Sequence, residues 1–155
     1  MSTTAQSVNP VDTKVREAQH RPVSPELGLS VYVVFTSIPW TLKALQKARE
    51  MAEPLGAKVV VVAAQAVPYP LPLDRPPVPM EFVVRRFEEM AGISHGKIHL
   101  AAYLCRDLFE ALKSILNPHS PVVMGTKGRW LPNREERLAR KLRRSGYDVI
   151  LVRSE

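Results

Sequence analysis

The sequence predicts an α/β protein built on one open, twisted parallel sheet with helices on both faces. Continuous apolar runs rich in β-branched residues recur along the chain. Such runs are typical of strands that are buried on both faces. Segments with apolar residues at three- and four-residue spacing separate the runs and indicate amphipathic helices. Strands and helices that alternate in this way form a parallel sheet in three layers.

The first three elements form a predicted βαβ unit. Residues 29–35 (LSVYVVF) and 58–64 (KVVVVAA) are its strands. The helix between them begins near Pro39, because proline has a preset φ and lacks an N–H that would go unpaired in the first turn. Pro54 and Gly56 end this helix. The apolar stripe of the helix comprises Ala44, Leu45, Ala48, Met51, Ala52 and Leu55.

A proline-rich loop and three more helix–strand pairs complete the predicted order. Six prolines between residues 66 and 80 exclude a helix or an inner strand and predict a stiff, extended loop. The elements expected after it are a helix over 82–90, a strand over 97–104, a helix capped by Asp107, a strand over 122–124, a helix over 132–144 and a strand over 147–152.

Length and composition predict a single domain with a tail. The chain has 155 residues, which is too short for two ordinary domains. Residues 1–27 contain Ser, Thr and three prolines without apolar periodicity, so we expect a flexible N-terminal tail there. We expect the folded domain to span residues 28–155.

The residue types present exclude several classes of function. Cys105 is the single cysteine, so an internal disulfide or a multi-cysteine zinc site is excluded, and the four histidines show no metal-ligand spacing with it. No Ser/His/Asp set or pair of catalytic carboxylates is apparent, which predicts a non-catalytic protein. The chain has neither an apolar run of transmembrane length nor a secretory signal pattern, and we therefore expect a cytoplasmic protein.

The positive charge is concentrated near the C-terminus. The net charge is +7, and residues 125–155 alone hold nine basic residues against four acidic ones. The predicted fourth helix carries Arg134, Arg137 and Arg140 at steps of three, with Lys141 and Arg144 adjoining. This ridge is either a solvated surface or a docking face for an anionic partner, such as nucleic acid or a membrane surface. Trp130, in a proline-framed turn just before this helix, is expected to cover the core.

Candidate ligand-binding residues follow the predicted strands. In an open parallel sheet, ligands bind outside the carboxyl ends of the strands where the strand order reverses. Thr36 and Ser37 follow the first strand, and Ala64 lies at the end of the second. After the fourth strand come Gly125, Thr126, Lys127, Gly128 and Arg129. Two glycines three residues apart allow either a tight structural turn or a loop whose N–H groups cradle phosphate oxygens.

The chain resembles the universal stress protein family, part of the adenine-nucleotide α-hydrolase-like Rossmann superfamily, over residues 29–153. Residues 41–62 (TLKALQKAREMAEPLGAKVVVV) look like that family's first helix and second strand, and residues 122–128 (VVMGTKG) look like its fourth strand and GxxG. The resemblance implies a Rossmann-like sheet of order 3-2-1-4-5. It also implies a homodimer through the last strand, which here contains Tyr147, Val149, Ile150, Leu151 and Val152.

The same resemblance implies a nucleotide site that has degenerated in this chain. Many family members bind ATP through G-x2-G-x9-G-(S/T), aided by an acidic residue at the end of the first strand. Aligned forward from Gly128, the Gly-(Ser/Thr) pair falls on Leu138 and Ala139; aligned backward from the last strand, it falls near Glu135 and Glu136. The acidic residue aligns with Thr36, whose hydroxyl can bond a ribose but is a weaker acceptor than a carboxylate.

Three functions are therefore open at this point. The first is a non-catalytic universal stress protein-like regulatory or stress-response domain with a degenerate nucleotide site. The second is a switch that keeps ATP or AMP through Gly125–Gly128, with Lys127 or Arg129 replacing lost contacts. The third is a binder of anionic partners through the basic fourth helix.

Overall fold

A computed structural model describes residues 6–8, 13–17, 29–92, 98–128 and 130–154 of the chain. The strands are β1 (Gln6–Val8), β2 (Thr13–Glu17), β3 (Ser30–Val34), β4 (Lys58–Ala66), β5 (Ile98–Cys105), β6 (Val122–Lys127) and β7 (Val149–Ser154). The helices are α1 (Ile38–Ala52), α2 (Met80–Ala91), α3 (Leu108–Ile115) and α4 (Arg134–Arg144), and a 3-10 turn, Glu53–Leu55, extends α1.

The five predicted strands form a parallel sheet in the order β5-β4-β3-β6-β7. When these five strands are numbered one to five along the chain, their order in the sheet is 3-2-1-4-5, as the resemblance implies. The chain builds outward from β3 through β4 to β5 and then crosses over to β6 on the other side of β3. The order therefore reverses between β3 and β6, and the predicted fold class is confirmed.

The core lies in two layers, one on each face of the sheet. On β3, Val31 and Val33 face α1 and α2, whereas Tyr32 and Val34 face α3 and α4. All four are buried, which explains why this strand reads as a continuous apolar run. The centre of the first layer is Leu45, Val61, Val84, Phe87 and Leu100, and that of the second is Tyr103, Leu112, Ile115, Met124 and Leu142.

The N-terminal segment corrects one expectation. β2 pairs in parallel with β5, aligning Lys14 with Ala101 and Glu17 with Leu104, and β1 pairs antiparallel with β2. The expectation of a tail without regular structure is therefore wrong for residues 6–8 and 13–17. Apolar periodicity could not reveal these strands, because an edge strand can be held by its backbone ladder alone. The boundary at residue 28 itself stays a prediction.

Two further segments differ from the sequence-based expectations. The proline-rich loop is not fully extended, because Leu71 N donates to Pro68 O and Arg75 N donates to Pro72 O, each at 3.0 Å, and both bonds close turns. Trp130 does not cover the core, since its side chain is 95% exposed. The turn that contains it places the indole outside both core layers.

Candidate functional site

A cleft of about 460 Å³ lies at the carboxyl ends of β3 and β4. This is the edge of a parallel sheet at which ligands bind. The ends of the two strands form its floor, and the first turns of three helices form its rim. The lining residues are Phe35, Thr36, Ala63, Ala64, Gln65, Ala66, Val78, Met80, Val83, Leu108, Arg134, Glu135 and Leu138.

Small residues at the end of β4 leave the cleft open. Ala63, Ala64 and Ala66 contribute only methyl groups to its floor. Phe35 lies edge-on to Phe87 of α2, with the ring centroids 5.4 Å apart, and this contact supports one wall. The lining is mainly apolar, as is usual for a site that takes a small organic molecule. The polar side chains that line it are few, namely Thr36, Gln65, Arg134 and Glu135.

Next to the cleft, side chains close the crevice between β3 and β6. The Thr36 hydroxyl donates to Gly125 O at 2.9 Å, and the Thr36 N–H donates to Thr41 Oγ1 at 3.0 Å. A Cβ added to Gly125 would lie 2.0 Å from Trp40 O, so α1 packs directly on this glycine. Thr36 therefore faces a ligand only as a hydrogen-bond acceptor, which matches a ribose hydroxyl as its partner.

The predicted phosphate-binding segment does not form a turn. Gly125, Thr126 and Lys127 continue β6, so the prediction of a sharp turn at Gly125 is wrong. The Gly128 N–H donates to Ser154 O at 2.7 Å, and the buried Thr126 hydroxyl accepts from Asn133 Nδ2 at 2.6 Å. Close packing against α1 explains the small residue at Gly125, and pairing with β7 explains the small residue at Gly128. Arg129 lies outside the described residues.

Groups of the chain itself already compensate the partial positive charge at the start of α4. Asn133 caps the helix, since its Oδ1 accepts from Glu136 N at 2.9 Å. Glu135 and Glu136 occupy the first turn, where carboxylates compensate the positive end of the helix dipole. Glu135 lines the cleft, whereas Glu136 is 11% exposed and lies 3.6 Å from Arg153 Nε.

The proline-rich loop next to the cleft is pinned by Arg106. One guanidinium nitrogen of Arg106 donates to Val67 O at 3.1 Å and to Leu71 O at 2.8 Å. The same guanidinium lies 4.1 Å from the centre of the Tyr69 ring. The sequence pattern does not indicate this role of Arg106, because its partners lie more than thirty residues away along the chain. This arrangement fixes one end of the loop whose other end, at Val78, lines the cleft.

The remaining candidates do not contribute chemistry to the cleft. The Ser37 Oγ is buried without a hydrogen bond and does not cap α1. Cys105 is buried, and burial together with the nearby Asp107 raises the pKa of its thiol to about 11. A thiol with such a pKa is protonated at neutral pH, so Cys105 is not an activated nucleophile.

A second cavity, of about 320 Å³, lies at the amino ends of β4 and β5, away from this edge. Its lining includes Arg49, Glu53 and Ile98.

Two absences hold for the part of the chain that the structure describes. No group of three or more His, Cys, Asp or Glu residues is placed to hold a metal ion there. None of the described helices has both the length and the apolar character that crossing a membrane requires.

Comparison with known proteins supports the fold. No protein-family model matches the sequence, and no curated protein matches it either. Among solved structures, the chain is similar to a universal stress protein in complex with cAMP, with a TM-score of 0.50 and 20% identity. The match covers 82% of this chain and 98% of that protein. The chain thus has the α/β fold of a universal stress protein, with a cleft at the carboxyl edge of its sheet.

Proposed function

We propose that the protein is a non-catalytic, universal stress protein-like regulatory domain whose nucleotide site has lost its triphosphate subsite. The proposal rests on one observation: the groups that would hold phosphate are already engaged within the chain. The Gly128 N–H is bonded to Ser154, Asn133 caps α4, and Glu135 lines the cleft beside the helix start. A triphosphate there meets the Glu135 carboxylate, and Coulomb repulsion opposes its binding.

The open part of the cleft favours a ligand with little negative charge. Its volume and its mainly apolar floor suit a heterocycle, and Thr36 can accept a hydrogen bond from a ribose hydroxyl. Among the described residues of the lining, Arg134 is the one basic side chain, so it can balance a single phosphate. AMP, which the sequence left open, and cAMP, the ligand of the similar solved structure, each fit this charge better than ATP does. A nucleoside monophosphate sensor is therefore the second candidate function.

A ligand series with increasing charge tests both candidates. Thermal unfolding of the full chain is measured with adenosine, AMP, cAMP and ATP, because a ligand that binds only the folded state raises the melting temperature. We expect adenosine, AMP or cAMP to stabilise the protein more than ATP does at the same concentration. Stabilisation by ATP alone would contradict the proposed loss of the triphosphate subsite.

Two variants with a matched control locate the binding. Ala64→Leu fills the floor of the cleft and should abolish stabilisation by every ligand in the series. Arg134→Gln should weaken AMP and cAMP binding but leave adenosine unchanged. Arg137→Gln removes the same charge one turn along α4, outside the cleft lining, and should change none of these values.

We also infer that two copies pair through β7. Val149 is buried, whereas Ile150, Leu151 and Val152 are half-buried on a strand whose outer edge has no strand partner among the described residues. An apolar edge of this kind promotes pairing with another strand. Two β7 strands running antiparallel would form an interface with two-fold symmetry.

A further inference from the structure

The outward face of α4 is entirely cationic. Successive residues of a helix are about 100° apart, so Arg137, Arg140, Lys141 and Arg144 fall within an arc of about 100°. All four are exposed, and Ala139 and Leu142 on the opposite side are fully buried. We refer to these four residues as the α4 arc. Glu135 and Glu136 of the same helix lie outside the arc.

Among the residues that the structure describes, no acidic side chain neutralises the cations of the arc. No residue of the arc forms an ion pair with any other residue that the structure describes. Lys141 lies 5.8 Å above the Phe109 ring, a contact that leaves its charge in place. From Arg137 to Arg144 the arc extends about 10 Å along the helix axis, so its charges form a row. A row of three guanidiniums and one ammonium is complementary to a linear chain of phosphates.

An exposed aromatic side chain lies beside the start of α4. Trp130 is 95% exposed, and the neighbouring Leu131 is 64% exposed. Burial of a tryptophan is strongly favourable, so an indole held almost fully in water has no role in the core. Such a ring can stack on a nucleic-acid base, and basic side chains close to a stacking ring are typical of surfaces that bind single strands.

We propose that the α4 arc and Trp130 together form a binding surface for single-stranded nucleic acid. The phosphates follow the row of arginines, and one base stacks on Trp130. A duplex would supply the phosphates but keep its bases paired, which leaves Trp130 without a stacking partner. A membrane surface also carries phosphates. However, Trp130 and Leu131 lie at one end of the row of cations, so they offer only a small apolar surface for insertion into a bilayer. This surface does not depend on the cleft or its ligand, since no residue of the arc lines the cleft.

Titration of the full chain with a labelled oligo-dT of about twelve nucleotides tests the proposal. If the protein neutralises about four phosphates, the logarithm of the binding constant should fall with the logarithm of salt concentration at a slope near −3. Arg137→Gln/Arg140→Gln should reduce the magnitude of this slope by about 1.4. The matched control is Arg85→Gln/Arg86→Gln, which removes two exposed charges from α2 and should leave the slope unchanged.

The stacking contribution is tested separately at Trp130. Trp130→Ala should weaken oligo-dT binding about tenfold, whereas Trp130→Phe should keep most of the affinity. In a Trp40→Phe background Trp130 is the only tryptophan, and its fluorescence should be quenched as oligo-dT binds. Because Trp130 is exposed, circular dichroism should show an unchanged fold in both Trp130 variants.

Three outcomes would overturn the proposal. One is equal affinity for single strands and a matched duplex with no effect of Trp130→Ala, which would show attraction by charge alone. Another is the absence of any oligo-dT binding at low salt. The third is binding to phosphatidylserine–phosphatidylcholine vesicles with a blue shift of Trp130 but no binding to oligo-dT, which would assign the surface to a membrane.

Discussion

Gly125 offers the sharpest structural prediction, because its lack of a side chain lets α1 lie on β6. In Gly125→Ala the new Cβ would lie 2.0 Å from Trp40 O and 2.5 Å from Trp40 C. Both are backbone atoms of α1, so relief requires the helix to move by more than an ångström relative to the sheet. Overpacking of this kind costs about 3 kcal/mol in free energy of unfolding. For a chain of this length that loss lowers the melting temperature by roughly 6–12 °C.

Thermal and urea unfolding of Gly125→Ala measure this loss, with Gly128→Ala as the matched control. At Gly128 a Cβ would lie 3.1 Å from Ser154 O, an approach that a shift of a few tenths of an ångström relieves. The control should therefore lose less than half as much stability. If Gly125→Ala were as stable as the wild type, the packing role of Gly125 would be refuted. Gly125 would then be better explained as a glycine of a ligand-binding turn.

The remaining predictions concern a helix cap, a thiol and the assembly. Asn133→Ala removes the α4 cap and the donor to the buried Thr126 hydroxyl, and should cost about 2–3 kcal/mol by urea unfolding; Asn133→Asp, which keeps the cap acceptor, should cost less. The pKa of Cys105 is raised to about 11 in the folded state, so the wild type should lose stability relative to Cys105→Ala between pH 9 and 11, because the unfolded state releases the thiol proton first. A pH-independent stability difference across this range would contradict that shift. Ile150→Asp should convert a dimer to a monomer in sedimentation velocity, and a wild-type monomer at micromolar concentration would exclude pairing through β7.

Most of the fold could be predicted because the central elements are encoded locally. The valine-rich runs of β3 and β4 need no distant partner to be recognised, and Asp107 caps α3 as expected by accepting from Glu110 N at 3.0 Å. β1 and β2 could not be predicted, since β2 pairs with the backbone of β5 and β1 with the backbone of β2, and neither pairing requires an apolar pattern. The exposure of Trp130 could not be predicted for a related reason: the residue type gives the free-energy cost of exposing an indole but not the direction in which a turn points it.

The candidate site was predictable only in part. Thr36 and Ala64 were expected at the ligand-binding edge, and both line the cleft. The role of Gly125 depends on its contact with Trp40, which lies on another element far away along the chain. A glycine required by helix packing and a glycine required by a phosphate have the same sequence signature. Only the tertiary structure separates the two cases.

Calorimetric titration of the full chain with ATP tests whether the triphosphate subsite is lost. If the groups that would hold a triphosphate are satisfied within the chain, ATP should bind more weakly than about 100 μM, which corresponds to about 5.5 kcal/mol of binding free energy. We expect no measurable heat with micromolar ATP while circular dichroism shows the protein folded. Micromolar ATP binding that is abolished by Gly128→Val but not by Arg137→Gln would contradict it and restore Gly125–Gly128 as a phosphate-binding segment.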